Sequence, residues 1–244
     1  MRLARICTAK GVFTGEYEDG VVTTDGDDGT YVVGEDAELM APCDPTAIFC
    51  TGRNFGAKIE QMGEGDRPDR PDWFVKPPHA LHPPEAPIEY PGWVESFTYA
   101  GELAAVIGRR CHDLAADEVE DALLGYTILD DLDAYEQDRR TARKAFDGSA
   151  PLGPWIETDV DLDGMAMETV VSGERRQSAT TDEMLFGPEE IVAFLSERYT
   201  FRPGDVISFG SPANPGLLEP GDTIEITYEG VGTLRNEVVA GHNA

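Results

Sequence analysis

The chain has 244 residues, with 19 Lys and Arg against 47 Asp and Glu, so its formal net charge is −28. Hydrophobic residues at 41%, with 10 Phe, 8 Tyr and 3 Trp, supply a packed core and exclude global disorder. A chain this acidic repels phosphate, and no basic patch offsets the charge, so nucleic acid and anionic membrane surfaces are excluded as partners.

The acid is spread along the whole chain, and only four basic residues are lysines: Lys10, Lys58, Lys76 and Lys144. Such a surface suits a salt-adapted cytoplasmic protein, because molar salt shortens the screening length to roughly 3 Å. Met1 to Lys10 lacks the apolar segment of a secretory leader. No apolar run of roughly 18 residues is present to cross a bilayer. Cys7, Cys43, Cys50 and Cys111 have neither CxxC nor metal-finger spacing, which suits thiols of a reducing compartment.

In chain order, residues 1–45 read as a small N-terminal β domain. Its short apolar runs, such as Tyr31-Val32-Val33, are separated by Gly- and Asp-rich turns, notably Asp25 to Gly29. Residues 46–244 read as the main domain. Gly63 to Pro71 is a polar loop, and six prolines between Lys76 and Pro91 demand extended, irregular backbone. Gly101 to Gly108 is an apolar buried strand, Ala116 to Leu124 a short helix, and Thr127 to Leu129 the next strand. Pro188 to Arg198 is a clearer helix, with proline in its first turn, acids at the positive end and Arg198 in the last turn. Asp205 to Phe209 is a short strand. Ile224, Ile226 and Tyr228 alternate with Thr223, Glu225 and Thr227, the period of a half-buried strand. The fold class is mixed β with few short helices, and no internal repeat is present.

Strand geometry makes one pair of positions informative. Residues i and i+2 share a face, so Ala100 and Glu102 point together. A lone carboxylate at the mouth of an apolar strand is costly to bury unless it is paired or ligating. Asp130 and Asp131 follow another apolar strand, and a carboxylate from each segment could hold a hard divalent cation. A solvated acidic pair is the alternative. His79 and His82 are loop or packing residues, and His112 and His242 have no partner pattern. No phosphate loop, GxSxG elbow or dinucleotide fingerprint is present.

A series of short segments in fixed order goes further. It runs Gly52-Arg53-Asn54-Phe55, Phe74-Val75-Lys76-Pro77, Gly101-Glu102-Leu103-Ala104-Ala105-Val106-Ile107-Gly108, Gly125-Tyr126-Thr127 and Asp131. Lys144-Ala145-Phe146-Asp147 and Pro151-Leu152-Gly153-Pro154-Trp155 follow, then Gln177 with Thr181 and Met184. Pro203-Gly204-Asp205-Val206-Ile207, Gly210-Ser211-Pro212 and Pro220-Gly221-Asp222 complete the series. Together these segments resemble the fumarylacetoacetate hydrolase superfamily over about residues 46 to 240. The resemblance implies a β-roll fold, usually homodimeric, with a central Mg²⁺ or Mn²⁺. It also implies a small oxo- or diketo-acid substrate that is cleaved, decarboxylated, dehydrated or isomerised. The metal would grip the 2-oxo-carboxylate and stabilise an enolate. Family members hold it with Glu-x-Glu and a later Asp; Glu102 and Asp131 match two of these, whereas Ala100 replaces the first glutamate. Asp130 stands where many members have Asn and faces away from Asp131 if both are extended.

The lid departs from the family too. Hydrolytic members resemble Asn-Tyr-x-x-His-x-x-Glu, where His and Glu activate water. This chain reads Asn54-Phe55-Gly56-Ala57-Lys58-Ile59-Glu60-Gln61, placing Lys58 and Gln61 at the two functional positions. An ammonium with an ordinary pKa of about 10.4 is a poor base at neutral pH. The family's Arg-Asp-x-Gln appears as Tyr135-Glu136-Gln137-Asp138. The resemblance therefore favours lyase, decarboxylase or isomerase chemistry over hydrolysis. Lys144 and Lys58 are its catalytic candidates, and Lys76, Thr181, Gly210 and Ser211 its substrate-binding candidates. The alternative is a catalytically silent member that binds a metabolite or serves as a structural subunit.

Overall fold

The computed structural model describes all residues except 25–28, 64–66, 214–215 and 242–244. The expected turn at Asp25 to Gly29, part of the Gly63 to Pro71 loop, and His242 therefore lie wholly or partly outside the described residues. Gly101–Ile107 lies at the centre of the sheet, and every residue of it is buried. A strand covered on both faces reads as an unbroken apolar run. Its alternate residues enter different cores: Leu103, Ala105 and Ile107 pack into one, Ala104 and Val106 into another. By the same parity Glu102 emerges at the end of the Ala104 and Val106 face.

Leu123–Asp130 and Val206–Ser208 flank this strand, both antiparallel to it. The main sheet runs Thr30–Val32, Val21–Thr24, Gly11–Glu18, Arg2–Thr8, Ala150–Glu157, Leu123–Asp130, Gly101–Ile107, Val206–Ser208, Ile48–Gly52, Asp72–Lys76. The N-terminal strands thus continue the sheet, with Leu3 paired to Ile156. They also enclose a small core of Ala4, Ile6, Val22, Tyr31 and Ala37. Trp155 packs against that core and stacks on Tyr17 at 4.3 Å. A second sheet orders Glu174–Thr180, Ala166–Val171, Thr223–Tyr228, Gly232–Ala240 and Ile88–Tyr90. Ile224, Ile226 and Tyr228 are buried there, as their alternation requires. Gly125 is indispensable to the first sheet: its φ is +150°, and a Cβ would lie 2.3 Å from the Glu157 carbonyl oxygen.

Three short α-helices are present among the described residues: α1 (Gly56–Met62), α2 (Arg140–Lys144) and α3 (Pro188–Ser196). Helix α3 starts at the expected proline and stops two residues before Arg198. The helix expected over Ala116 to Leu124 is instead two 3₁₀ turns, Ala116–Glu118 and Glu120–Ala122. Only Val119 and Ala122 anchor that segment in the core, and pairing of Leu123 with Ile107 takes the chain into the sheet. The next strand consequently covers Leu123–Asp130 rather than Thr127 to Leu129. The proline-rich stretch is irregular as expected, with a 3₁₀ turn at Pro78–Ala80 and two short strands. Asp205 closes a turn instead of starting a strand; its Oδ1 accepts bonds from Thr46 N and Oγ1 at 2.9 and 2.7 Å.

Candidate active site

The site forms where the central strand meets its neighbour. Gly101 pairs with Asp130, and Asp131 N donates to Ala100 O at 2.9 Å. This register brings Ala100, Glu102 and Asp131 to one cavity of about 820 Å³. Glu102 is only 4% exposed. Its Oε2 accepts bonds from Ser208 Oγ and from Gly210 N at 3.2 Å, and no described group bonds to Oε1. Burial, reinforced by the nearby Asp131 charge, pushes the Glu102 carboxyl up to about 8. Asp130, by contrast, does not line the cavity; its Oδ1 accepts from Ala100 N at 3.1 Å.

Cations gather around Asp131. Lys144 Nζ lies 2.5 Å from Asp131 Oδ2 and 3.2 Å from Asp133 Oδ2. Arg143 Nε donates to Asp133 Oδ1 at 2.8 Å, with a second bond from Nη2 to Oδ2. Lys76 Nζ approaches Asp131 Oδ1 at 2.9 Å from behind. Burial alone would raise the Asp131 carboxyl, but Lys144 and Lys76 outweigh it and hold the group below its ordinary value. Burial likewise disfavours the Lys144 ammonium, and Asp131 and Asp133 reverse that effect. Farther out, Asp72 joins Arg53 and Arg140 at 3.0 and 2.8 Å.

Residues 47–239 match the family model for the fumarylacetoacetate (FAA) hydrolase C-terminal domain. The chain belongs to the fumarylacetoacetate hydrolase family. Among solved structures it is similar to 5-carboxymethyl-2-hydroxymuconate delta-isomerase from Mycobacterium smegmatis. That match has a TM-score of 0.90 and 37% identity, with all of each chain covered. The oxaloacetate tautomerase YisK of Bacillus subtilis is 32% identical over 207 residues, 78% of this chain and 69% of the relative. Maleylpyruvate hydrolase from Sphingobium sp. SYK-6, solved with manganese(II) and pyruvate, has a TM-score of 0.84 and 26% identity. That alignment covers 99% of this chain and all of the other. The family match thus establishes the resemblance drawn from the ordered segments, and the mixed-β fold with it.

Against this family, the placement of each candidate can be read directly. Lys58, Lys144, Glu102, Asp131 and Ser211 all line the cavity. Three residues expected to bind substrate do not. Lys76 is fully buried, and its Nζ donates to Leu132 O, Lys144 O and Ser149 O at 3.1, 2.7 and 2.8 Å. Thr181 opens a 3₁₀ turn and donates Oγ1 to Leu162 O. Gly210 bonds to Glu102 from the flank, and a Cβ there would press on Asn54 and the Thr51 carbonyl at 3.0 Å. Lys76 and Gly210 instead hold two cavity-lining carboxylates, Asp131 and Glu102, in place. Gln177 is occupied by backbone: its Oε1 accepts from Gly101 N at 3.2 Å and its Nε2 donates to Pro212 O at 3.1 Å. Of the histidines, exposed His79 stands 3.7 Å from Asp147, and His82 and His112 meet backbone carbonyls.

Sequence reasoning overlooked Asp133, Arg143, Tyr99 and Thr51, which also line the cavity. Asp133 sits two residues after Asp131, the same-face spacing applied to Ala100 and Glu102. The Tyr99 and Thr51 hydroxyls are buried and have no hydrogen-bond partner among the described residues. Such groups favour a ligand that brings its own polar atoms.

The donor set can be tested against a divalent metal. Glu102 Oε1 and the Asp131 carboxylate are hard oxygen donors that share the cavity, whereas Ala100 presents a methyl group. No cluster of three or more His, Cys, Asp or Glu side chains converges among the described residues. Two carboxylates suit Mg²⁺ or Mn²⁺ when waters and substrate oxygens complete the shell. The residues fit such an ion, with one protein ligand fewer than the Glu-x-Glu pattern provides.

Proposed function

We propose that this chain is an enzyme that turns over a small 2-oxo or diketo acid in the Glu102–Asp131 cavity. The chemistry would be decarboxylation, carbon–carbon lysis or isomerisation through an enolate. The observation that carries this reading is the meeting of two buried carboxylates with the Lys144 ammonium in one cavity. Glu102 and Asp131 would hold Mg²⁺ or Mn²⁺, which when bound supplies Lewis-acid polarisation of the 2-oxo-carboxylate.

The chain's own residues account for the rest. Lys144, kept protonated by Asp131 and Asp133, donates a hydrogen bond where negative charge develops on oxygen. Ser208 and Gly210 N fix one oxygen of Glu102 and leave the other to the cavity. Lys58 closes the cavity from α1, and Ser211 lines the opposite loop. Gln61, which also lines the cavity, carries an amide in place of a carboxylate and cannot accept a proton from water. Hydrolysis therefore lacks its base. In this reading the enzyme works as a cytoplasmic homodimer. No helix of the described residues is long and apolar enough to cross a membrane.

Oxaloacetate and acylpyruvates, assayed with and without Mn²⁺ in high salt, test the proposal. Metal-dependent turnover that Glu102→Ala abolishes is expected. Turnover that persists in Glu102→Ala would show that the site is misplaced. Absence of both metal uptake and turnover would favour the silent, metabolite-binding member.

A further inference from the structure

Among the described residues nine large hydrophobic side chains are left exposed, and single ones need no explanation. Three of the nine line one cavity: Met62, Tyr135 and Leu217, at 51%, 62% and 49% exposure. They come from three separate segments, and each segment is anchored close by. Met62 is the last residue of α1, which is seated by buried Phe55 and Ile59. Tyr135 N donates to Ser96 O at 2.9 Å, and the Arg143 guanidinium lies over the Tyr135 ring at 4.9 Å. Leu217 is bracketed by a bond from Thr98 Oγ1 to Gly216 O and by fully buried Leu218, which donates to Phe97 O at 2.9 Å. Apolar surface is thus held in place at the mouth of the Glu102–Asp131 cavity.

The charges along the same walls are already matched. Arg143 grips both oxygens of Asp133, Arg140 grips both oxygens of Asp72 at 3.2 and 2.8 Å, and Arg53 shares Asp72 Oδ2 at 3.0 Å. Asp138 adds a further carboxylate to the lining. Lys58, a lining cation without an ion pair or hydrogen bond among the described residues, feels the charges of Lys144, Glu102 and Asp131 and so serves the floor. A second substrate carboxylate at the mouth would have to displace a protein carboxylate from its arginine or face Asp138, and like charges brought together are costly. An apolar group meets no such penalty and covers three exposed side chains. The cavity volume of about 820 Å³ also exceeds the need of a four-carbon acid. It lies in the range of roughly 300–1,000 Å³ that encloses drug-sized ligands.

We propose that the mouth of the cavity holds the apolar acyl tail of a 2,4-diketo acid with a single carboxylate, and that Met62, Tyr135 and Leu217 determine this specificity. The proposal rests on the reading of the cavity floor as a 2-oxo acid site, where the one carboxylate and the 2-oxo group are held. The tail leaves that floor from C5 onward and packs on the three rim side chains. Burying a methylene fully is worth about a fourfold gain in affinity. Each rim residue is about half exposed, so about twofold per methylene is expected. Such contacts are the same in the ground state and the transition state, so they lower KM and leave kcat independent of tail length.

The test takes the whole chain with Mn²⁺ through acetyl-, butyryl- and hexanoylpyruvate, beside oxaloacetate as the dicarboxylate. KM is read where turnover occurs, and Kd by isothermal titration calorimetry where it does not. From acetyl to hexanoyl, the added methylenes should lower KM or Kd by about sixteenfold, and hexanoylpyruvate should bind more tightly than oxaloacetate. In the double variant Met62→Ser, Leu217→Ser, which changes only exposed side chains, that ratio should shrink to about fourfold or less. Values that ignore tail length, or oxaloacetate bound most tightly, overturn the apolar tail and leave the oxo-acid site standing. A length dependence undiminished in the double variant overturns the assignment to this rim. Length-dependent Kd without turnover upholds the tail site and overturns the catalytic reading. No binding by any of the compounds overturns the oxo-acid site, and the tail site with it.

Discussion

Lys76→Met separates a structural from a substrate-binding role, and its cost can be worked from the geometry. The ammonium is fully buried among Asp131 Oδ1 and three backbone carbonyls. Two of those carbonyls keep another donor: Ser149 Oγ bonds to Lys144 O at 2.8 Å, and Leu132 N to Ser149 O at 3.2 Å. Leu132 O loses its donor, which costs about 1–3 kcal/mol. Asp131 loses one of its two cations, and breaking a buried pair costs about 3–5 kcal/mol when nothing remains. Lys144 stays within 2.5 Å, so that term falls toward its lower end. The methionine stem retains most of the packing. A net loss of about 3–5 kcal/mol is expected, a large share of the roughly 5–15 kcal/mol typical of folded domains. Urea unfolding should show a midpoint lowered by about 1–2 M. An unchanged midpoint with a raised KM would refute this reasoning and return Lys76 to the substrate.

Ala100→Glu should raise Mn²⁺ affinity at least about tenfold by isothermal titration calorimetry, because a third carboxylate joins Glu102 and Asp131 on one face; weaker binding would show that Lys144 and Lys76 have pre-empted the site. The Asp72 carboxyl is raised by burial but lowered more strongly by bonds from Arg140 and Arg53, for a net depression. Its stabilising effect is present above its unfolded pKa and is lost as pH falls through the lower folded value. The melting gap between wild type and Asp72→Asn should therefore be open at pH 7 and close in acid; a gap independent of pH would contradict the pairing. Screening of a −28 surface should raise the melting temperature from low to molar KCl, and a flat response would remove the case for salt adaptation.

The central strand was legible because GELAAVI allows few other readings, and its period-2 geometry placed Ala100 with Glu102 before any contact was known. The same rule would have exposed Asp133 through its spacing from Asp131. The position of Lys76 was not legible. It depends on pairing with Ile48 across the sheet and on carbonyls from three distant segments. Nor did local pattern separate a helix from two 3₁₀ turns at Ala116–Ala122. That choice follows from the sheet claiming Leu123. A motif thus nominated the candidate residues, while register decided which of them reach the cavity.

Charge accounting gives the substitution at position 100 a physical meaning. The chain has 19 basic residues against 47 acids, yet among the described residues five cations line the cavity (Arg53, Lys58, Arg140, Arg143 and Lys144) against four carboxylates (Glu102, Asp131, Asp133 and Asp138). An anionic substrate repelled by the surface would meet a locally balanced field there. Lys76, Lys144 and Arg143 already neutralise Asp131 and Asp133, which leaves Glu102 as the floor carboxylate without a cationic partner among the described residues. Burial first, and the Asp131 charge second, raise its pKa. A glutamate at position 100 would double the uncompensated charge and make the empty site costly. Ala100 instead leaves a floor with one uncompensated negative charge, which a single proton neutralises and which a divalent ion neutralises with one positive charge to spare for an anionic substrate.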